Sequence, residues 1–328
     1  MTMKKIYVIH ENDDWVIPLR AAFKKLNLPY EEWFIDDLNL DLNSIPPEGI
    51  FYNRMSASAH TRDHRYAPEQ TANILAWLER HGREVVNGRR ALQLELRKSE
   101  QYLSLQQFAI PHPETIISNN VKSLPKAVDQ LNKFPFILKP NRGGKGAGVQ
   151  LFYSKDSLIQ SIENNQIGES LDGIWLVQEY IKPADGRIVR AEFVGNKFLY
   201  AVSIDAQNGF QLCPADSCNI GDAFCPADKN ESTNKFIIQD NYENADLKKY
   251  ASFLKANDIA VGALEYVEDE NGAKWVYDVN TNTNYNSGAE RKSSEPIEGM
   301  FEIAKFLGLE LSKVTKQNLK RAQKTIII

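Results

Sequence analysis

"GALEYVEDENGAKWVYDVNTNTNYN", residues Gly262 to Asn286, holds two strand-like runs on either side of Asn271-Gly272. Asn-Gly is the preferred dipeptide of a two-residue type I′ hairpin turn, and such a turn fixes the register of its strands. With that turn, Glu270 opposes Ala273, Glu268 opposes Trp275, and Glu265 opposes Asp278. Two carboxylates then face each other with Cβ atoms about 5 Å apart. Asn280, two residues on, projects from the same face. Like charges opposed in a sheet repel unless something positive sits between them. Two carboxylates and an amide oxygen suit a hard, oxygen-liganded cation, Mg²⁺ above all. The competing reading is a solvent-facing acidic hairpin, and "EDENG" at the tip is such a stretch. Glu265 and Asp278 lie well back from the tip, among "GALEYV" and "WVYDVN", where the metal reading is favoured.

Upstream, "FPFILKPNRGGKGAGVQLF" (Phe134 to Phe152) joins two apolar strands through a basic, glycine-dense loop. Glycines let backbone N–H groups turn towards an anion, and Lys139, Arg142 and Lys145 give the sign of that ligand. A Walker A loop needs Gly-x4-Gly-Lys followed by Ser or Thr, which is absent, and Gly-x-Gly-x-x-Gly fails at Val149. What remains is a glycine loop between strands, of the kind that closes over a triphosphate as a lid, with Lys139 fixed at the end of the first strand. A plain mobile surface loop is the alternative.

The whole chain bounds these readings. It has 328 residues, 42% hydrophobic and 25% charged, with a net charge of -4. Those values describe a globular protein with a real core, in two domains or one large domain with subdomains. The charge argues against general attachment to nucleic acid, so the basic loop is a local feature. The apolar run in "MTMKKIYVIH" is too short for a signal peptide, and no stretch has membrane length, so the cytoplasm is the expected compartment. Cys213, Cys218 and Cys225 cluster without a nearby histidine, which favours reduced thiols over zinc.

The first part alternates strand-like "KKIYVIH", helical "DWVIPLRAAFKKLN", strand-like "YEEWFI" and "GIFYNRM", and helical "PEQTANILAWLERHG". That alternation predicts a parallel sheet covered by helices. "RRALQLELRKSEQYLSLQQF" reads as one further helix, and "GMFEIAKFLGLEL" as a C-terminal one. Domain boundaries are expected near residues 90 and 178. Loops at the carboxyl ends of parallel strands commonly bind ligands. Arg54, Arg62, His64 and Arg65 in "YNRMSASAHTRDHRY" are therefore candidates for a substrate carboxylate, against a solvated basic loop. His60 and His64 lack a third ligand for zinc. Asn282 and Asn286 could contact substrate or simply form turns.

Taken in order, "EVVNGRRALQLELRKSEQYL", the glycine loop, "WLVQEYIKPADGRIVRAEFVGNKF" and "YDVNTN" resemble the ATP-grasp superfamily, nearest its RimK-type branch of amino-acid ligases. The resemblance runs from about Val85 to Asn286. It implies an α/β ATP-grasp fold: an N-terminal parallel-sheet domain (1–90), a central lid subdomain (91–178) and a C-terminal mixed α+β subdomain (179–328). It implies that Lys98 and Lys139 hold the α- and β-phosphates of ATP, and that Gly143, Gly144, Lys145 and Gly146 cover them. Gln178, Glu179, Tyr180 and Ile181 look like the hinge strand at the adenine edge. Glu265, Asp278 and Asn280 match magnesium ligands, with Mn²⁺ as the alternative ion, and Arg190 matches an arginine at the transferring phosphoryl group.

The activity implied is an ATP-dependent carboxylate–amine ligase acting through an acyl phosphate. A small-molecule kinase on the same scaffold is the runner-up, and a nucleotide-binding module without turnover comes third. The partners implied are a small carboxylate and an amine, with neither nucleic acid nor membrane. The oligomeric state stays open, a homo-oligomer included. Two departures stand out. Ile188 replaces the branch's ribose-binding Asp, a role that Asp185 could take. "FQLCPADSC" stands where the branch has an Arg-Ser-Asn-like stretch.

Overall fold

The computed structural model describes residues 3–144, 146–205 and 236–325; Lys145 and the cysteine-bearing segment with "FQLCPADSC" lie outside them. In the first part, β1 (Lys5–His10), β2 (Tyr30–Phe34), β3 (Gly49–Asn53) and β4 (Glu84–Val86) form a parallel sheet in the order β2-β1-β3-β4. Both faces of β1 are buried, as a parallel sheet requires. Ile6 and Val8 face one core, and Tyr7 and Ile9 face another that packs on helix α2 (Ala67–Arg80). Helix α1 (Ile17–Lys25) starts three residues later than "DW" suggests, with Pro18 in its first turn.

The expected long helix is two: α3 (Arg89–Leu96) and α4 (Lys98–Gln107). Arg97 between them is extended, at φ -137° and ψ 93°. The break is held by a bridge from elsewhere, since Lys98 N donates to Asn141 O and Ser99 N to Asn141 Oδ1. Gln101 adds bonds to Leu94 O and to both backbone groups of Val279. Propensity alone sees a continuous helix, whereas tertiary contacts set Lys98 at a new helix start.

The second sheet is antiparallel, in the order β5-β8-β6-β7, from β5 (Thr115–Ser118), β6 (Phe136–Pro140), β7 (Gln150–Phe152) and β8 (Trp175–Glu179). Helices α5 (Leu124–Leu131) and α6 (Lys155–Glu163) close its own small core around Phe136, Leu138 and Leu158. The third sheet, also antiparallel, runs β11-β10-β9-β12-β13. Its strands are β9 (Arg187–Val194), β10 (Lys197–Asp205), β11 (Phe236–Ile238), β12 (Val261–Glu268) and β13 (Lys274–Asn280). Helices α3, α4 and α7 (Leu247–Ala256) cover one face. The other face shares its core with the N-terminal sheet, α1 and α9 (Gly299–Thr325), where Ile6, Val8, Tyr52, Ile188, Val261 and Ile303 meet. No helix among the described residues is long and apolar enough to cross a membrane.

One residue pins the N-terminal part to the third sheet. Asn87, fully buried, donates through Nδ2 to Val261 O and Thr281 O at 2.6 and 2.8 Å. Its Oδ1 accepts from Ala260 N and Val261 N. Its φ of +58° is one that asparagine tolerates better than most residues. Asn87→Ala would strand several buried backbone groups and is expected to cost about 3–6 kcal/mol in denaturant unfolding. A loss below about 1 kcal/mol would contradict the pin.

Candidate active site

Three neighbouring strands present charged side chains in rungs. Arg190 on β9, Glu265 on β12 and Asp278 on β13 are successive cross-strand partners, and Glu192, Ala263 and Asn280 form the next rung on the same face. The opposed carboxylates each have a cation. Arg190 Nη1 donates to Glu265 Oε1 at 2.9 Å, and Lys98 Nζ donates to Asp278 Oδ1 at 2.7 Å. Asn280 Nδ2 and the Tyr277 hydroxyl also donate to Glu265, at 3.1 and 3.0 Å. Burial pushes the Glu265 carboxyl up; Arg190 opposes this and the charge on Asp278 adds to it. Burial disfavours charge on Lys98, but Asp278 holds its pKa above the ordinary value.

The Glu265–Asp278 pair forms by a route different from the expected one. Gly272, at φ +78°, follows a turn closed by Gly272 N donating to Asp269 O. That is a three-residue loop ending in a left-handed glycine, not a two-residue type I′ turn. Glu268 consequently opposes Lys274 rather than Trp275. A β-bulge beside Glu265 then takes up Tyr277 and restores the pairing with Asp278. Strict alternation would aim Tyr277 away from Asp278, and the bulge brings its hydroxyl to Glu265.

Lys139, near the end of β6, is 5% exposed and donates to the Tyr102 hydroxyl at 2.7 Å. Its ammonium also lies 5.4 and 5.9 Å from the Tyr102 and Tyr277 ring centres. Burial, helped by the charge on Lys98, brings its pKa down to about 7. The glycine loop leans on the N-terminal part. Arg142 pairs with Glu69 on α2 at 2.5 Å, and a Cβ on Gly144 would stand 3.3 Å from Ser58 Cβ. Gly143 lies against Pro140, and Gly146 takes φ +75°.

On β8, Gln178 is buried and donates to Thr115 Oγ1 at 2.7 Å, while Glu179 pairs with Lys133 at 2.9 Å. Tyr180 and Ile181 follow the strand, with Ile181 packed against the first core. Asp185 accepts from Arg187 N in the turn before β9, and Ile188 is buried in the shared core.

The four basic residues after β3 have separate partners. Arg54, 2% exposed, donates to Thr283 O and Asn284 Oδ1, tying the N-terminal part to the loop after β13. Arg62 pairs with Glu11 at 2.6 Å, His64 with Asp36, and half-exposed Arg65 stands 3.6 Å from Glu169. Asn282 Nδ2 donates to Arg54 O, and Asn286 caps the short helix α8 (Ser287–Lys292) by accepting from Ala289 N. His10, Asp13 and Glu32 form a separate group of metal-type donors, but Arg20 already holds both carboxylates.

Sequence reasoning passed over Tyr102, Tyr277 and Glu192. Tyr102 stands four residues after Lys98 on a helix, and Glu192 two after Arg190 on a strand, so periodicity places each beside a chosen residue. Tyr277 carries no such signal, because a bulge re-aims it. Glu192, 1% exposed, accepts from Arg190 Nε at 2.5 Å, and burial pushes its carboxyl up to about 7 against the pull of Arg190.

Residues 91–225 match a family model described as the RimK-like ATP-grasp domain. A probable alpha-L-glutamate ligase of Cellvibrio japonicus is 32% identical over 120 residues, which is 37% of this chain and 36% of the relative. One from Pseudomonas fluorescens is 30% identical over 112 residues, 34% and 36% of the two chains. The chain thus spans about a third of the length of the curated relatives it matches. A RimK domain ATP-grasp protein from Sphaerobacter thermophilus has a similar structure, with TM-score 0.63 and 18% identity over 92% of this chain and 98% of that one. The D-cycloserine synthetase DcsG gives 0.63 and 15% over 93% and 99%. The ATP-grasp ligase PsnB, complexed with a precursor variant, Mg and ADP, gives 0.62 and 15% over 94% and 98%. At these identities the likeness establishes the ATP-grasp fold.

Proposed function

Because residues 91–225 match the family model of the RimK-like ATP-grasp domain, we propose that the chain is an ATP-dependent carboxylate–amine ligase. One observation carries this reading. Lys98, Arg190, Glu265, Asp278 and Asn280 meet on one sheet face, and Lys139 is close enough to feel the charges of Lys98, Asp278 and Glu265. Three cations and two acids suit a triphosphate with a divalent ion.

A carboxylate does not condense with an amine in water, because hydroxide leaves poorly. Transfer of the γ-phosphoryl group from ATP to the carboxylate gives an acyl phosphate, which an amine attacks to release phosphate. Such transfer needs positioning and charge neutralisation rather than covalent help from the protein. In this reading Lys98 and Lys139 hold phosphate oxygens, and Arg190 meets the charge on the group in transfer. The glycine loop excludes water from the acyl phosphate. Glu265, Asp278 and Asn280 would hold Mg²⁺, since their oxygens are hard donors already gathered on one face. When bound there, a divalent ion would supply positive charge to offset that on the phosphates.

Amino acids are the first acids and amines to test, because curated relatives are named glutamate ligases. The test is ADP release across a matrix of amino acids and small carboxylates, singly and in pairs. Turnover that needs two substrates and yields their combined mass less one water is expected. Turnover with one hydroxyl compound and a phosphorylated product would replace the ligase by a kinase.

A further inference from the structure

Two charged atoms beside the phosphoryl site have nothing to bind. Arg190 Nη2 and Glu192 Oε2 are both buried and lack a hydrogen-bond partner among the described residues. Buried charged atoms are rarely left so, and each unmatched group destabilises the fold unless a ligand completes it. Arg190 and Glu192 line one cavity of about 10 Å³, room for one water-sized group such as an ammonium head, with Tyr200, Asn284, Tyr285 and Asn286. Of the two, Arg190 shares the rung of the Glu265–Asp278 pair and Glu192 stands on the next, on the same sheet face.

The free atoms differ in sign. Arg190 Nη2 is a donor, suited to an oxyanion such as the acyl phosphate. Glu192 Oε2 is a charge-bearing acceptor, suited to an ammonium group. The rings of Tyr200 and Tyr285 add surfaces that attract a cation. Tyr200 keeps its hydroxyl on Glu290 at 2.8 Å, so that hydroxyl does not compete for Glu192.

We propose that this cavity is the amine side of the reaction, where Glu192 Oε2 binds the ammonium group of the acceptor next to the carbonyl held at Arg190. The inference rests on the ligase reading above and adds the residue that selects a primary amine. A bound ammonium gives one proton to Glu192 Oε2, and its nitrogen lone pair forms the bond to the acyl carbon. The carbon–oxygen bond to phosphate then breaks with its electron pair on oxygen, and phosphate leaves with the second N–H proton.

The test separates amine handling from phosphoryl transfer. Hydroxylamine is neutral near pH 7 and traps acyl phosphates without an ammonium site. With the carboxylate found in the substrate matrix, Glu192→Gln is expected to lower amide formation roughly 100-fold. Hydroxamate formation should fall far less, and Glu192→Asp should restore part of the amide rate. A parallel fall of both products would overturn the proposal and reduce Glu192 to a support for Arg190. Binding is read independently of turnover. Methylammonium chloride should raise the melting temperature of the wild type above that in equal sodium chloride, and not that of Glu192→Gln. Equal melting temperatures in the two salts for the wild type would also overturn it. A chain that forms neither amide nor hydroxamate yet shows the methylammonium shift would sink the ligase reading and leave the ammonium site standing.

Discussion

Asp278→Asn is expected to lower ATP turnover by about 10³-fold or more, since the ligase reading gives this carboxylate a divalent ion to hold and the substitution removes its charge. Volume barely changes, but the substitution is not innocent. Asp278 is the partner of Lys98 at 2.7 Å, and the two side chains are only 19% and 12% exposed. Losing that partner leaves a largely buried ammonium unpaired, at a cost of about 2–4 kcal/mol. The variant should therefore melt earlier and still fold. Steady-state ADP release and circular dichroism, measured on one preparation, separate the two effects. A folded variant with wild-type turnover would remove Asp278 from the phosphate site.

Lys139→Met should do the opposite to stability. Its ammonium is buried, near the charge of Lys98, with a pKa brought down from 10.5 to about 7. Below pH 7 the charge is present in folded and unfolded chains alike and its burial opposes folding. Between about pH 7 and 10.5 the unfolded chain binds the extra proton, so this group makes stability rise with pH across that window. Methionine removes the burden and should stabilise the protein at pH 7 by about 1–3 kcal/mol. Turnover should nevertheless fall by about 10²–10³-fold, because the ligase reading gives this lysine a phosphate oxygen to hold. The wild type offers a further sign. At pH 8 the free lysine is mostly neutral, and a triphosphate beside it restores the charge, so nucleotide binding should take up close to one proton. Calorimetry in buffers of different ionisation enthalpy measures that uptake. Proton release, or none, would place Lys139 away from the nucleotide.

The parallel sheet and most helices were legible because period-two and helical patterns are local. The Glu265–Asp278 pair was legible too, though through two offsetting departures. The loop is one residue longer than Asn-Gly implies, and the bulge at Tyr277 returns the register, which no pairwise pattern foretells. The break at Arg97 was invisible for a related reason. Its replacement hydrogen bonds come from Asn141 and Val279, far along the chain. Arg54 was chosen for its chemistry, but its burial against Thr283 and Asn284 depends on how the domains meet. Glu192 is within reach of the strand period, two residues from Arg190 on the same face, but its burial depends on the neighbouring strands and on the packing of the two domains.

The shared core between the N-terminal sheet and the third sheet has a mechanical meaning. Asn87 and Arg54 bridge these parts across their common core, while the second sheet keeps a small core of its own. The chain enters that piece at Pro111, whose carbonyl accepts from Val276 N, and the stretch after it is tied down where Ala184 N donates to Glu268 O. Both moorings sit on the strands that bear Glu265 and Asp278. Any displacement of the second sheet would therefore be felt at the hairpin that carries the two acids, so the support of that sheet and the spacing of Glu265 and Asp278 are mechanically coupled.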